Sequence, residues 1–217
     1  MKKRRQSLQA VKFIVALAAA LLFFAPFALV IFNSVKPLDQ IMTDLLGLPR
    51  TVQLSNYLNA WQELNMGRVM LNTILVTGIS LALILTLSCM VAYWTVRHPT
   101  KYSRLFEKLL VCSLLIPFAA VMLSLVKTMS ILHLTDSLWG GIITYSGMGI
   151  AFGTFMMIGA VKSVPLELEE SAKLDGANVY QTFFLIVVPL LRPTLLSLFV
   201  LDLFWVWNDY IVALTLL

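Results

Sequence analysis

The sequence predicts an all-α membrane protein, a multi-span helical bundle interrupted by one polar loop. Three observations carry that fold class. Hydrophobic residues make up 59% of the 217 residues and the mean hydropathy is +0.88, values typical of integral membrane chains. Five stretches, about 13–32, 69–96, 109–126, 138–161 and 194–214, approach the roughly 20 apolar residues needed to cross about 30 Å of hydrocarbon. Between the fourth and fifth, segment 164–193 (VPLELEESAKLDGANVYQTFFLIVVPLLRP) carries four carboxylates and its own turn signals.

The chain opens with a basic tail, residues 1–12, in which Lys2, Lys3, Arg4 and Arg5 precede the first apolar run. That run is too long for the h-region of a signal peptide. It is followed by Asn33-Ser34-Val35-Lys36 rather than by a small-residue cleavage site, so it reads as an uncleaved anchor and first span. Residues 33–68 form the largest outer segment. Within it LSNYLNAWQEL, from Leu54 to Leu64, has near-helical apolar spacing with Ser55 as the expected cap. This short helix either lies at headgroup level on Tyr57 and Trp61 or meets a partner outside.

The remaining residues, 69–217, form the predicted core. Six of the ten glycines fall between Gly140 and Gly159, including Gly149 and Gly153 with Ala151 between them. Small residues at this spacing let helix backbones approach closely in lipid, and tight packing is the reading favoured over lining a substrate path. The fifth stretch contains Asp202, Trp205, Trp207, Asn208 and Asp209. A mid-span aspartate costs about 2.5–3.5 kcal/mol on insertion scales. Asp202 lies about 13 Å beyond Pro193 at 1.5 Å per residue, so it is expected to face the bundle interior, a cavity or a partner. Asp202, Trp207, Asn208 and Asp209 are the candidates for a translocation path.

Basic residues set the expected orientation. Of 16 Lys and Arg, twelve fall in the tail and in the loops after the second and fourth spans; Lys36, Arg50, Arg68 and Lys127 occupy the other two loops. The N-terminus and segment 164–193 are therefore expected on the cytoplasmic side. The net charge of +5 reads as this topology signal, since no basic face with interleaved aromatics suggests nucleic acid. Cys89 and Cys112 both fall inside predicted spans and read as small apolar residues, with no disulfide or metal role. His98 and His133 fall on opposite sides and cannot share a metal. No nucleophile–base pair, metal cluster or Gly-x4-Gly-Lys-Ser/Thr phosphate cradle is present. The chain thus reads as a non-enzyme without a cofactor.

The loop is expected to fold as two helices. Pro165 suits a first turn, and Glu167, Glu169 and Glu170 lie near the positive end of the macrodipole. Asp175-Gly176 then closes the helix. A second helix starts at Asn178, with Gln181 completing a capping box, and runs through Phe183 and Ile186 to Pro189. Leu168 and Ala172 share a face, with Ser171 beside them, as a surface to seat in a groove of another protein. Four acids against Lys173 argue for protein docking rather than for resting on anionic headgroups.

Glu170-Ser171-Ala172, Gly176 after three residues, and Ile186 and Pro189 after nine more make this loop similar to the coupling loop of ABC-importer permeases. The pattern of that family is Glu-Ala-Ala, three residues, Gly, nine residues, Ile-x-Leu-Pro. Ser171 stands for its middle Ala and Val188 for its Leu. Asp175-Gly176-Ala177, Asn72-Thr73, Ala92-Tyr93 with Arg97, and Trp207-Asn208-Asp209-Tyr210 resemble the carbohydrate branch, particularly the second permease of maltose-type systems. The resemblance implies a subunit that moves a sugar inward by alternating access. It implies a sister permease, two cytoplasmic ATPase subunits and an extracytoplasmic solute-binding protein as partners, in a bacterial cell membrane. It assigns ATPase coupling to Glu167, Leu168, Glu170, Ser171, Ala172, Asp175, Gly176, Ala177 and Pro189. It also implies six spans, whereas five are seen before Leu217, so a fragment lacking the sixth span, inactive or scaffolding, is one alternative. An ion-coupled secondary transporter, relaying through Asp202 and Asp209, is the other.

Overall fold

The computed structural model describes residues 2–216; Met1 and Leu217, the outer limits of the predicted tail and core, lie outside the described residues. Among the described residues there are helices and connections and no strand. The chain divides into two compact units, 1–69 and 70–217.

The first unit begins with α1 (Lys2–Ser34), then α2 (Leu38–Thr43) and α3 (Ser55–Glu63). No residue of the apolar stretch Val11–Ser34 is buried within the chain, as expected of a helix whose apolar surface is covered by lipid or by another subunit. The outer segment is knit by side chains bonded to backbone. Lys36 is fully buried, and its Nζ donates to the carbonyls of Asp44 (2.9 Å) and Leu45 (3.3 Å). The Asn56 amide donates to the carbonyls of Ser34 and Lys36. Ser55 is the first residue of α3 and makes no capping bond, contrary to expectation; Leu54 holds the cap position. Tyr57 and Trp61 are exposed as expected, with the Tyr57 hydroxyl 2.6 Å from that of Ser34.

The second unit contains most of α4 (Met66–Arg97), followed by α5 (Lys101–Leu114), α6 (Phe118–Ile131) and α7 (Leu138–Lys162). The loop forms α8 (Leu166–Leu174), α9 (Val179–Thr182), a π-helical turn (Phe183–Val187) and α10 (Val188–Leu190). It leads into α11 (Arg192–Asn208) and α12 (Ile211–Leu216). Helices α1, α4 and α7 are long and apolar enough to cross a membrane; α5 with α6, and α9–α10 with α11, would add two bent candidates.

Two expected spans are not continuous. The stretch 109–126 bends by 104° between α5 and α6. Pro117 supplies no N–H and disfavours helical backbone at Ile116, a break that hydropathy does not register. The stretch 194–214 is interrupted at Asp209, whose backbone is extended (φ −70°, ψ 131°). Cys112 is exposed on α5 rather than buried, while Cys89 is buried.

Small residues bring α4 and α7 together. A Cβ on Gly149 would strike the Ile84 side chain, and one on Gly153 would strike Ser88 Oγ. Ser88 in turn donates to the Ile150 carbonyl at 3.3 Å. Two apolar cores lie at opposite ends of this pairing. One gathers Cys89, Ala92, Met157, Val161, Phe183 and Leu198 near the loop; the other gathers Val76, Met129, Ile142, Tyr145, Val206 and Val212.

Candidate functional site

Local sequence sets the loop's shape. α8 stops in a paired arrangement in which Ala177 N–H donates to the Ala172 carbonyl (2.9 Å) and Gly176 N–H to that of Lys173 (3.1 Å). This double closure needs a left-handed residue, and Gly176 sits at φ +88°. Asn178 then caps α9 reciprocally: its side chain accepts from Gln181 N–H at 2.9 Å, and the Gln181 side chain accepts from Asn178 N–H at 2.8 Å. Both turns match the sequence expectation. The π turn that follows buries Phe183 and Val187 and packs the Phe183 ring at a tilt against Tyr93 (centroids 5.0 Å apart) and edge-on against Phe184 (4.9 Å).

The orientation of α8 differs from expectation. Ala172 is buried toward the chain's own core, together with Glu169, whereas Leu168 and Ser171 are exposed. Positions 169 and 172 share one face at helical spacing; there Glu169 meets Tyr93 and Arg97 of α4, while α8 packs against α9 and the π turn. The outward surface is therefore made of Glu167, Leu168, Glu170, Ser171 and Leu174, with Asp175 and Gly176 at its end. Ala177 and Pro189 are half-buried.

Glu169 is the residue whose environment the sequence did not reveal. Its side chain is 1% exposed and is enclosed by two side chains from α4. Arg97 Nε donates to Oε1 at 2.7 Å and a terminal nitrogen of the same guanidinium lies 2.6 Å from that oxygen, while the Tyr93 hydroxyl donates to Oε2 at 2.8 Å. The spare donor capacity of Arg97 goes to the carbonyls of Val164 (3.0 Å) and Val161 (3.4 Å), at the end of α7. A charge taken out of water is tolerable only with such compensation; leaving one partner unpaired costs about 3–5 kcal/mol. The available signal was Tyr93 and Arg97 at i, i+4 spacing on the last turn of a span. Nothing local says which of Glu167, Glu169 and Glu170 they hold.

Between the two apolar cores lies a cavity of about 600 Å³, walled by the α5–α6 bend, α7 and α11. Its lining is mainly apolar, with Phe118, Met148, Phe152, Leu201 and Trp205, and it contains Ser113 and Asp202. Asp202 is 3% exposed, and its Oδ2 has no hydrogen-bond partner among the described residues. Of the four residues expected along a path, Asp202 lines this cavity and the other three do not. Asp209 Oδ2 instead accepts from the Tyr145 hydroxyl (2.9 Å) and from Val212 N–H (2.8 Å), holding the break between α11 and α12. The Asn208 side chain bonds the Phe204 carbonyl, and Trp207 is exposed.

Residues 78–217, which include α7, the loop, the cavity and α11, match the family model described as a binding-protein-dependent transport system inner membrane component. The chain is 37% identical to a probable starch degradation products transport system permease protein, AmyC, of Thermoanaerobacterium thermosulfurigenes, over 88% of this chain and 70% of that protein. It is 28% identical to the multiple sugar-binding transport system permease protein MsmG of Streptococcus mutans, over 100% of this chain and 79% of the other. It is also 26% identical to the melibiose/raffinose/stachyose import permease protein MelC of Bacillus subtilis, over 95% and 75%. These relatives are transport permeases and not enzymes. The chain is a multi-pass, all-α membrane transport subunit that belongs to the binding-protein-dependent transport system inner membrane component family, the permease subunits of ABC importers.

Proposed function

We propose that this chain is one half of the permease of an ATP-driven sugar importer, moving its substrate inward by alternating access. The observation that carries the reading is the loop: α8 presents Glu167, Leu168, Glu170, Ser171 and Leu174 outward while its opposite face is held by α4. On this reading the loop and the N-terminus face the cytoplasm, as the basic residues suggest. The outward face of α8 docks in a cleft of an ATPase subunit, with Glu170 opposite a cationic side chain there. A sister permease, a second ATPase and an extracytoplasmic solute-binding protein complete the assembly. The sugar assignment is supported by the relatives, which are named for starch products, multiple sugars and raffinose-type oligosaccharides. Asp202 and Trp205 in the cavity form the candidate contact of the path: a carboxylate accepts from hydroxyls, and an indole stacks on the apolar face of a pyranose. The ion-coupled carrier and the scaffold are not favoured, because the relatives are importer permeases.

Affinity purification of the tagged chain from mild-detergent membranes of its host, with mass spectrometry of its companions, tests this reading. Recovery of an ATPase, a second permease and a solute-binding protein supports it; a chain that brings down none of them overturns it. Glu170→Lys and Gly176→Pro are expected to abolish uptake of a tritiated maltotriose probe, or of the binding protein's own ligand, while membrane insertion persists.

A further inference from the structure

We infer that Arg97 and Tyr93, at the end of α4, are positioning residues for coupling: they clamp the loop to the spans so that loop, α4 and α7 move as one body. The inference rests on the docking reading of α8. Five contacts converge on two side chains one turn apart. Arg97 holds the Glu169 carboxylate of α8 and the carbonyls of Val161 and Val164, where α7 hands over to the loop. Tyr93 holds the other carboxylate oxygen through its hydroxyl, and its ring packs on Phe183 of the π turn. Both arms of the loop, the docking helix and the π turn that leads back toward α11, are thus fastened to the end of α4.

The physical case is one of stiffness. A helix of nine residues joined to its neighbours only by turns would pivot when pushed, and displacement of its outer face would be lost in the hinges at Ser163 and Gly176. A buried guanidinium–carboxylate pair resists this pivot because separating it would leave a charge without compensation. Behind the clamp, α4 continues as a single helix to Ser88 and Ile84, whose side chains contact α7 where Gly149, on the cavity wall, and Gly153 allow close approach. Movement imposed on α8 therefore reaches the cavity through rigid, packed elements. Arg is required here and Lys is not equivalent, since Nε reaches the carboxylate while a terminal nitrogen of the same planar group reaches the two carbonyls.

The test uses the full chain in inverted membrane vesicles, with the exposed Cys112 replaced by Ser and a reporter Ala172→Cys on the buried face of α8. In the parent, a membrane-impermeant maleimide should label the reporter slowly. In Arg97→Gln and in Glu169→Gln it should label about tenfold faster or more, the change produced by ~1.4 kcal/mol of lost docking energy. Arg97→Lys should fall between, and the swapped pair Arg97→Glu with Glu169→Arg should return toward the parent rate. An unchanged labelling rate in Arg97→Gln, with the chain still inserted, overturns the clamp. In the reconstituted complex, Arg97→Gln should retain ATP hydrolysis while the ATP consumed per maltotriose rises several-fold; an unchanged ratio also overturns it. A parent chain that recovers no ATPase sinks the docking reading instead, and the labelling rates still decide whether the clamp exists.

Discussion

At the loop end of the bundle Glu169 meets a guanidinium, Arg97, and a phenol, Tyr93; at the opposite end Asp209 meets a phenol, Tyr145, and the backbone amide of Val212. Glu169 fastens the short helix α8 to α4, and Asp209 fastens the break between α11 and α12 to α7. The partners differ with the degree of burial. Glu169 is 1% exposed and has almost no water to help it, so a full positive charge is supplied. Asp209 is only half-buried, and two neutral donors suffice. The lesson is that the loop end is held by a pair whose loss is costly, whereas the far end is held by bonds that can be replaced. Asp202 is a third case, deeply buried with an oxygen that no described residue satisfies, as befits a group kept for something the chain itself does not provide.

The largest effect should come from breaking the ionic end. Arg97→Ala leaves Glu169 buried and unpaired, and is expected to lower stability by about 3–5 kcal/mol, read as a clear fall in the thermal unfolding midpoint in detergent. At the neutral end, Tyr145→Phe removes one donor to a carboxylate and should cost about 1.5–3 kcal/mol by the same measurement. A loss there equal to or greater than that of Arg97→Ala would erase the distinction between the two ends. Smaller still, Gly176→Ala places a Cβ at φ +88° and should cost about 1–2 kcal/mol by the same measurement. The smallest and opposite in sign is Asp202→Leu. Removing an unsatisfied buried acceptor should leave the midpoint unchanged or raise it, with a gain of up to about 1 kcal/mol. Uptake should nevertheless fall if the cavity belongs to the path. A destabilised Asp202→Leu with normal uptake would mean that Asp202 serves packing instead.

Much of the loop was legible because its signals are local. Gly176 needs only its neighbours to close α8, and Asn178 finds its cap partner three residues on at Gln181. Asp202 was legible for a related reason: a carboxylate in an apolar run must avoid lipid wherever the neighbouring helices lie. Apolar length likewise located α1, α4 and α7. Ile116-Pro117 was visible as letters, yet hydropathy averages over a residue that lacks an N–H, and the bend between α5 and α6 was lost. Asp209 posed the converse difficulty. Nothing near it in sequence points to Tyr145, 64 residues earlier, which holds it at a helix break.

The sequence by itself determined that the chain is a membrane helical bundle, where its polar loop begins and ends, and the family pattern that the loop carries. Each of these depends on composition, on residue spacing within a turn or two, or on a motif read in order. Which of three neighbouring glutamates turns inward, whether Ala172 faces a partner or the core, and which aspartate borders a cavity were decided only by the tertiary structure. The groups that settle those questions stand far away in sequence, with Arg97 72 residues and Tyr93 76 residues from Glu169. A helix sets Glu169 on a different face from Glu167 and Glu170 but does not say which face will be covered; that is fixed when α4 and α7 pack and leave one buried position for a negative charge.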